Sequence, residues 1–153
     1  MKRDLDHMPS RLAYLDLVRA YEKLHGEFSD LFREHGITHA QYDVLKTLSR
    51  APECGASCQF ISENLLNRLP DVTRLLDRME RDGLVERSRC TEDRRVVRVH
   101  LTPKSRKVLT KLEAPVLELH EAQFAHMSKK AVQDLQRGLS SAAKRDGQPS
   151  KGC

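Results

Sequence analysis

The sequence predicts a mainly α-helical fold with one small β-hairpin. Apolar residues recur every three or four positions from about Ser10 to about His35, which is the spacing of an amphipathic helix. Five further segments repeat this spacing. Between residues 84 and 101 the spacing changes to two, the period of a β-strand with one buried face. The predicted order is therefore four helices, a hairpin and two helices.

Residues that favour helix ends delimit these segments. The predicted starts lie where a side chain or ring suits a first turn: Pro9, Ser10, Thr38 with Gln41 as a capping box, Ser57, Pro70, Pro103 and Ser128. Gly36 and Gly83 mark two of the ends. Pro115 falls inside the fifth helical pattern, where it predicts a kink or a short break.

The third and fourth helices and the hairpin predict a winged helix-turn-helix within residues 38–102. A short turn at 67–69 joins the two helices. The inward face of the fourth helix is apolar, at Val72, Leu75, Leu76 and Met79. The opposite face is charged, at Asp71, Arg74, Asp77, Arg78 and Arg81. Such a face is either solvated or offered to the major groove of DNA, where Arg74 would pair with guanine and Thr73 would lie beside it.

The arginine content of the hairpin favours the DNA interpretation of that face. The strands span about residues 84–89 and 97–101, and residues 90–95 form a polar tip. Five arginines lie in the hairpin with few acids nearby: Arg87, Arg89, Arg94, Arg95 and Arg98. Clustered guanidinium groups repel one another unless a polyanion binds them, and an arginine at a wing tip suits the minor groove. Asp93 is either a turn residue or a partner that orients one of these arginines.

Length, net charge and the distribution of apolar residues limit the classes of protein to which this chain can belong. A length of 153 residues and a net charge of +5 predict one domain with a moderate preference for polyanions. No run approaches the roughly 18 apolar residues of a membrane helix, and the basic start of the chain is not followed by the apolar segment of a secretory signal. We therefore expect a cytoplasmic protein with no membrane partner and with its cysteines reduced. The end helices need a second copy of the chain to bury their apolar faces, which predicts a homodimer.

Two segments of the central unit are similar to the MarR family of regulators. They cover residues 72–87 and 92–104. In the second segment Asp93 and Arg95 fall on the Asp-x-Arg pair of the family's wing, and the Leu-Thr pair that follows falls on residues 101 and 102. The order and lengths of the helices resemble the family over about residues 10–145, so we expect a single MarR-like domain over residues 1–153.

The resemblance implies a homodimer that binds double-stranded DNA at a pseudo-palindromic operator, as a repressor released by a small ligand. Helices at 10–35 and 103–145 would form the dimer interface, while the fourth helix enters the major groove and a wing arginine the minor groove. The expected DNA-binding residues, with Asp93 as the wing-orienting residue, are Asp71, Thr73, Arg74, Arg78, Arg89, Arg94 and Arg95. A pocket for a small aromatic or phenolic effector is expected at Tyr14, His39 and Tyr42.

Other function classes are weighed on the same residues. Cys54, Cys58 and Cys90 leave open a thiol-based redox sensor of the same fold, since Cys58 lies near a predicted helix start. We expect no metal site and no cofactor, because no set of histidines or cysteines has the spacing of metal ligands. The chain has no nucleophile elbow, phosphate-binding glycine loop or metalloprotease motif, so we expect no enzyme. A winged-helix module that binds protein is the remaining alternative, although it would not need so many arginines.

Overall fold

The computed structural model describes residues 7–67, 69–89 and 96–144 of the chain. The elements follow the predicted order: α1 Pro9–Glu34, α2 His39–Leu48, α3 Cys58–Asn64, α4 Val72–Arg81, β1 Val85–Arg89, β2 Val97–Leu101, α5 Pro103–Phe124 and α6 Lys129–Ala143. The predicted fold class, mainly helical with a small hairpin, is confirmed. Two compact units make up the chain, at residues 1–116 and 117–153. The polar tail from Asp146 lies outside the described residues.

The predicted helix caps are confirmed at three starts. At α2 the Thr38 hydroxyl accepts a hydrogen bond from the Gln41 N–H at 3.2 Å, and the Gln41 side chain accepts one from the Thr38 N–H at 2.8 Å. At α3 and α6 a single hydrogen bond forms the cap. The Ser57 hydroxyl accepts from the Phe60 N–H, and the Ser128 hydroxyl accepts from the Ala131 N–H. Each hydroxyl pairs a first-turn N–H that has no partner inside its helix, so these starts are set locally by the sequence.

The helix start predicted from Pro70 is wrong, and so is the break predicted as one of two outcomes at Pro115, while a kink at Pro115 stays a prediction. Pro70 is not the first residue of α4, because Asp71 has a non-helical backbone and its carboxylate accepts a hydrogen bond from the Arg74 N–H at 3.0 Å. The helix therefore begins one residue after that cap. Pro115 does not interrupt α5, which continues to Phe124. Proline removes only one N–H donor, and the carbonyl that loses it belongs to the exposed Lys111, where water can replace the bond.

The core of the first unit lies between α2, α3, α4 and the hairpin. Its largest fully buried side chains come from every one of these elements and from α1 and α5: Phe32, Leu45, Ile61, Leu76, Met79, Leu112, Val44, Val85 and Val99. The two strands pair antiparallel, with Val85 opposite Leu101 and Arg89 opposite Val97. Burial of one face of each strand fixes the position of the hairpin against α4.

A glycine holds the start of the helix-turn-helix against the hairpin. Ala56 forms an isolated bridge with Val99, through N–H to carbonyl bonds of 3.0 and 2.8 Å. The preceding Gly55 has a φ of 85°, and a Cβ there would lie 2.4 Å from the His100 ring. The ring of His100 is hydrogen-bonded to Ser88 on the neighbouring strand at 2.9 Å. Only glycine allows the loop to approach the hairpin this closely.

Helix α1 differs between its two halves. Near its C-terminal end Phe28, Leu31 and Phe32 pack on the core. Its N-terminal half instead leaves large apolar side chains exposed, at Leu12, Tyr14, Leu17, Val18 and Tyr21. We call these five residues the α1 stripe. In the second unit Leu117, Leu135 and Leu139 are also exposed. No helix within the described residues is long and apolar enough to cross a membrane.

Candidate nucleic-acid interface

Helix α4 has two sharply different faces. Its apolar residues, predicted to point inward, are all buried, with Leu76 and Met79 fully so. The opposite face is exposed and carries Thr73, Arg74 and Arg78. The Arg74 side chain is 85% exposed and its Nε lies 3.0 Å from the Asp71 carboxylate. An exposed ion pair of this kind is weak, so Arg74 can leave Asp71 for another partner.

Arg87 of β1 bridges the hairpin to α4. Its Nη1 lies 2.7 Å from Asp77 Oδ1 and 2.9 Å from Glu80 Oε2. Burial alone would lower the pKa of Arg87, but the hydrogen bonds and charges of Asp77 and Glu80 outweigh it and raise that pKa. The expectation that few acids lie near the hairpin arginines is therefore wrong at Arg87. The acids come from α4, because the strand pairing places this part of β1 against the helix.

The Arg87 bridge changes the charge of the α4 surface. Asp77 and Glu80 would repel a phosphate backbone, and the single guanidinium of Arg87 contacts both carboxylates and offsets one of their two charges. Arg78 and Arg81 on α4 stay exposed and, among the described residues, form no ion pair. A shallow depression runs along this face, lined by Ala40, Leu69, Pro70, Asp71, Arg74, Leu75, Asp77, Arg78 and Arg81. The result is a cationic helix surface next to a hairpin.

The structure describes only the base of the wing. Arg89 ends β1 and is exposed. Arg98 of β2 is half-buried, and its Nε has no hydrogen-bond partner among the described residues. The predicted contacts Arg94 and Arg95 and the orienting residue Asp93 lie outside the described residues, as does Cys90. Their roles stay predictions.

The residues predicted to form an effector pocket separate into two groups. His39 and Tyr42 lie together where α1 meets α2. Each contacts Phe32, with ring centroids 5.1 Å apart for His39 and 4.2 Å for Tyr42. Tyr14 lies elsewhere on α1, in the exposed stripe, about 16 Å before the position of His25 along a straight helix. The structure thus brings two of the three residues together within one chain.

The sulfur and imidazole groups form no ligand set. Cys54 is exposed and Cys58 is half-buried, and both are free thiols. Among the described residues no three histidine, cysteine or acidic side chains are arranged to hold a metal ion.

Sequence reasoning missed Arg87 as a positioning residue and His25 as a partner of His39. Arg87 shares its strand face with the buried Val85, two residues earlier, and that period of two is the signal that points it at α4. His25 stands three residues before Phe28 and seven before Phe32, which is the spacing of one helix face. Both spacings can be read from the sequence, but neither identifies the residue of another element that the side chain contacts.

Comparison with known proteins agrees with this geometry. A family model described as the MarR family matches residues 37–97. The transcriptional regulator PrsX of Escherichia coli is 34% identical over 85 residues, which are 56% of this chain and 51% of PrsX, so the chain spans about half the length of that curated relative. The solved MarR transcription factor of Planctomyces limnophilus is 36% identical with a TM-score of 0.65, over 87% of this chain and 96% of that one. The transcriptional repressor CouR, solved bound to a 23-mer DNA duplex, is 26% identical with a TM-score of 0.74, over 94% and 98% of the two chains. The chain therefore belongs to the MarR family of transcription regulators.

Proposed function

We propose that the protein binds double-stranded DNA sequence-specifically as a homodimer and represses transcription from that site. The observation that carries the proposal is the arginine-rich outer face of α4, with Arg74, Arg78 and Arg81 exposed and Arg87 paired with the acids Asp77 and Glu80. A helix of this size fits the major groove, where arginine donates two hydrogen bonds to guanine. We further propose that the function is binding rather than catalysis and that it is carried out in the cytoplasm.

The exposed apolar residues support the homodimer. Among the described residues of one chain, no element covers the α1 stripe or the exposed leucines of the second unit. Packing the same surfaces of two copies against each other would remove them from water, at a gain of about 25 cal/mol for each Å² buried. A two-fold dimer would also present two α4 helices to successive major grooves, about 34 Å apart.

Selection of duplexes from a random DNA pool tests this function. We expect the enriched sequences to be inverted repeats with half-site centres about 10 base pairs apart, bound by two chains per duplex. Because binding releases counterions from the phosphates, affinity should fall about a thousandfold between 50 and 200 mM salt if six phosphates are neutralised. Gel shift and sedimentation measure both quantities. Salt-independent binding, or no enrichment over the starting pool, would exclude DNA as the partner and favour a protein-binding module.

We also propose a small aromatic acid as the ligand that releases the DNA. The relevant residues are His39, Tyr42 and Phe32, which offer flat ring surfaces between α1 and α2. Burial and the charge of Asp43 raise the pKa of the Tyr42 phenol, while the charge of Arg50 acts in the opposite direction. The phenol therefore keeps its proton at neutral pH and can donate a hydrogen bond to a carboxylate, with Arg50 as a nearby cation.

Thermal unfolding in the presence of benzoate, phenylacetate and their hydroxylated forms tests the ligand class. A ligand at about 100 times its Kd should stabilise the folded protein by about 2.7 kcal/mol and raise the melting temperature. The same ligand should weaken the gel shift, and Tyr42→Leu should reduce both effects. An unchanged melting temperature and an unchanged gel shift with all of these acids would count against an aromatic effector. Loss of DNA binding on peroxide treatment, absent in Cys54→Ser or Cys58→Ser, would favour the redox alternative instead.

A further inference from the structure

Two histidine rings stack where α1 meets α2. The ring centroids of His25 and His39 are 4.3 Å apart and their planes differ by 9°. The Tyr21 and His25 ring centroids are 5.1 Å apart. The Phe32 ring contacts the His39 ring edge to face, also with centroids 5.1 Å apart. The stack is thus a direct contact between the long first helix and the first helix of the winged unit.

The stack is linked through two side chains to the chain segment that leads into α4. His39 Nε2 lies 3.8 Å from Asp43 Oδ1, one turn later on α2, and both side chains are mostly buried. The Asn67 side chain interacts with the Asp43 carboxylate and acts to lower its pKa. Asn67 stands four residues before Asp71, the cap of α4. A change at the stack can therefore reach, through Asp43 and Asn67, the segment that precedes the helix proposed to face the DNA.

The surroundings of His39 suit the neutral ring. Its Nδ1 is buried and has no hydrogen-bond partner among the described residues, so a proton added there would have no acceptor. Burial lowers the pKa of His39, the Asp43 carboxylate raises it and the His25 ring lowers it, with a downward shift as the result. Burial likewise raises the pKa of Asp43, against the effects of His39, His25 and Asn67.

We propose that the His25–His39 stack is an acid-sensitive joint, which is closed when both rings are neutral and loosens α1 from α2 when they take up protons. Two cationic rings cannot remain stacked face to face at this distance. Loosening would move Asp43 and with it Asn67, and so weaken DNA binding. That last step rests on the proposed function, while the opening of the stack does not.

The direction of the pH effect follows from the two shifts. A histidine whose pKa is lowered by folding binds its proton more readily in the unfolded chain, so its contribution to stability is present at neutral pH and is lost as the pH falls below about 6.5. Asp43 acts in the opposite sense, because folding raises its pKa above the ordinary 3.8. Its compensating gain begins as the pH falls through that raised pKa, whereas the loss from His39 begins as the pH falls below about 6.5. Among the described residues the Tyr21 ring also lies beside the His25 ring, with centroids 5.1 Å apart, and the Tyr42 ring stacks on Phe32.

Melting temperatures of the full chain test the joint without DNA. We compare the wild type with His25→Phe, which keeps a stacked ring but cannot be protonated, and with His126→Phe, which replaces an exposed histidine of the second unit. From pH 7.5 to 5.5 the wild type and His126→Phe should lose about 4 °C more than His25→Phe. Ring-proton NMR gives a second readout, in which the midpoint of the His39 titration is lowered in the wild type and shifts when His25 is replaced by phenylalanine. Equal losses in all three proteins, or a His39 titration that the His25→Phe change leaves unaltered, would overturn the joint.

The DNA arm separates the joint from the proposed function. On a duplex from the random-pool selection, the wild type should lose about tenfold more affinity than His25→Phe between pH 7.5 and 5.5. If both proteins bind and lose affinity equally, the link from the stack to α4 is wrong. If neither protein binds any duplex at either pH, the proposed function fails, and the joint is decided by the melting temperatures and the NMR titration alone.

Discussion

Replacing Leu76 by alanine should lower the free energy of unfolding by about 3 kcal/mol. The Leu76 side chain is fully buried on the inner face of α4, among the core residues of the first unit. Alanine would remove three carbon atoms and leave a cavity that the close-packed surroundings can fill only in part. Urea denaturation followed by circular dichroism measures the change, at a fixed protein concentration because a dimer makes stability depend on concentration.

The matched control is Leu66→Ala, in the turn that precedes α4. Leu66 is the same residue type but is 85% exposed. Its loss should change the free energy of unfolding by no more than about 0.5 kcal/mol, as is usual for a surface site. Similar losses in the two variants would mean that α4 does not pack on the core through the face described above.

Replacing Arg74 by alanine should reduce discrimination between the selected operator and single-base variants by about 1–3 kcal/mol. The reason is that Arg74 is exposed near the N-terminal end of α4 and forms a weak, exposed ion pair with Asp71, which it can leave to pair with a guanine. Replacing Arg95 should behave differently and weaken binding to all duplexes by a similar factor, because a minor-groove contact reads shape more than sequence. Competition gel shifts with a panel of operator variants measure the two patterns.

Arg33→Ala serves as the control for Arg74→Ala. Arg33 is also exposed and is also paired with an aspartate three residues earlier, Asp30, at 2.6 Å, but it lies on α1. Its removal should leave both affinity and discrimination close to the wild type. An Arg74 variant that still ranks the operator variants as the wild type does would show that base reading lies elsewhere on the protein.

The sequence predicts those features of this fold that depend on neighbours along the chain. The caps at Thr38, Ser57 and Ser128 are correct because a hydroxyl and an N–H three residues away decide each one. The predicted start of α4, at Pro70, lies two residues too early, because both Pro70 and Asp71 are residue types that suit a helix start. The outcome depends on the Asp71 carboxylate, whose hydrogen bond to the Arg74 N–H stabilises the later start.

Features that depend on contacts between distant elements are not predicted. The charged face of α4 was identified from its spacing, but its real charge depends on Arg87, which is ten residues from Asp77 and belongs to a strand. The partner of His39 was missed for the same reason, because His25 lies in another helix. Spacing tells which face of an element a side chain occupies, whereas the identity of the neighbouring face comes from tertiary packing.

The bridge from Arg87 to α4 has a consequence for how a DNA duplex is read. Since the Arg87 guanidinium contacts Asp77 and Glu80, side-chain contacts as well as the buried strand faces tie the base of the hairpin to the helix. If the helix enters a major groove and the wing the neighbouring minor groove, a duplex whose groove spacing does not match the separation of these two elements would lose contacts at one of them. Twist and bending of the DNA would then influence the choice of site together with base identity.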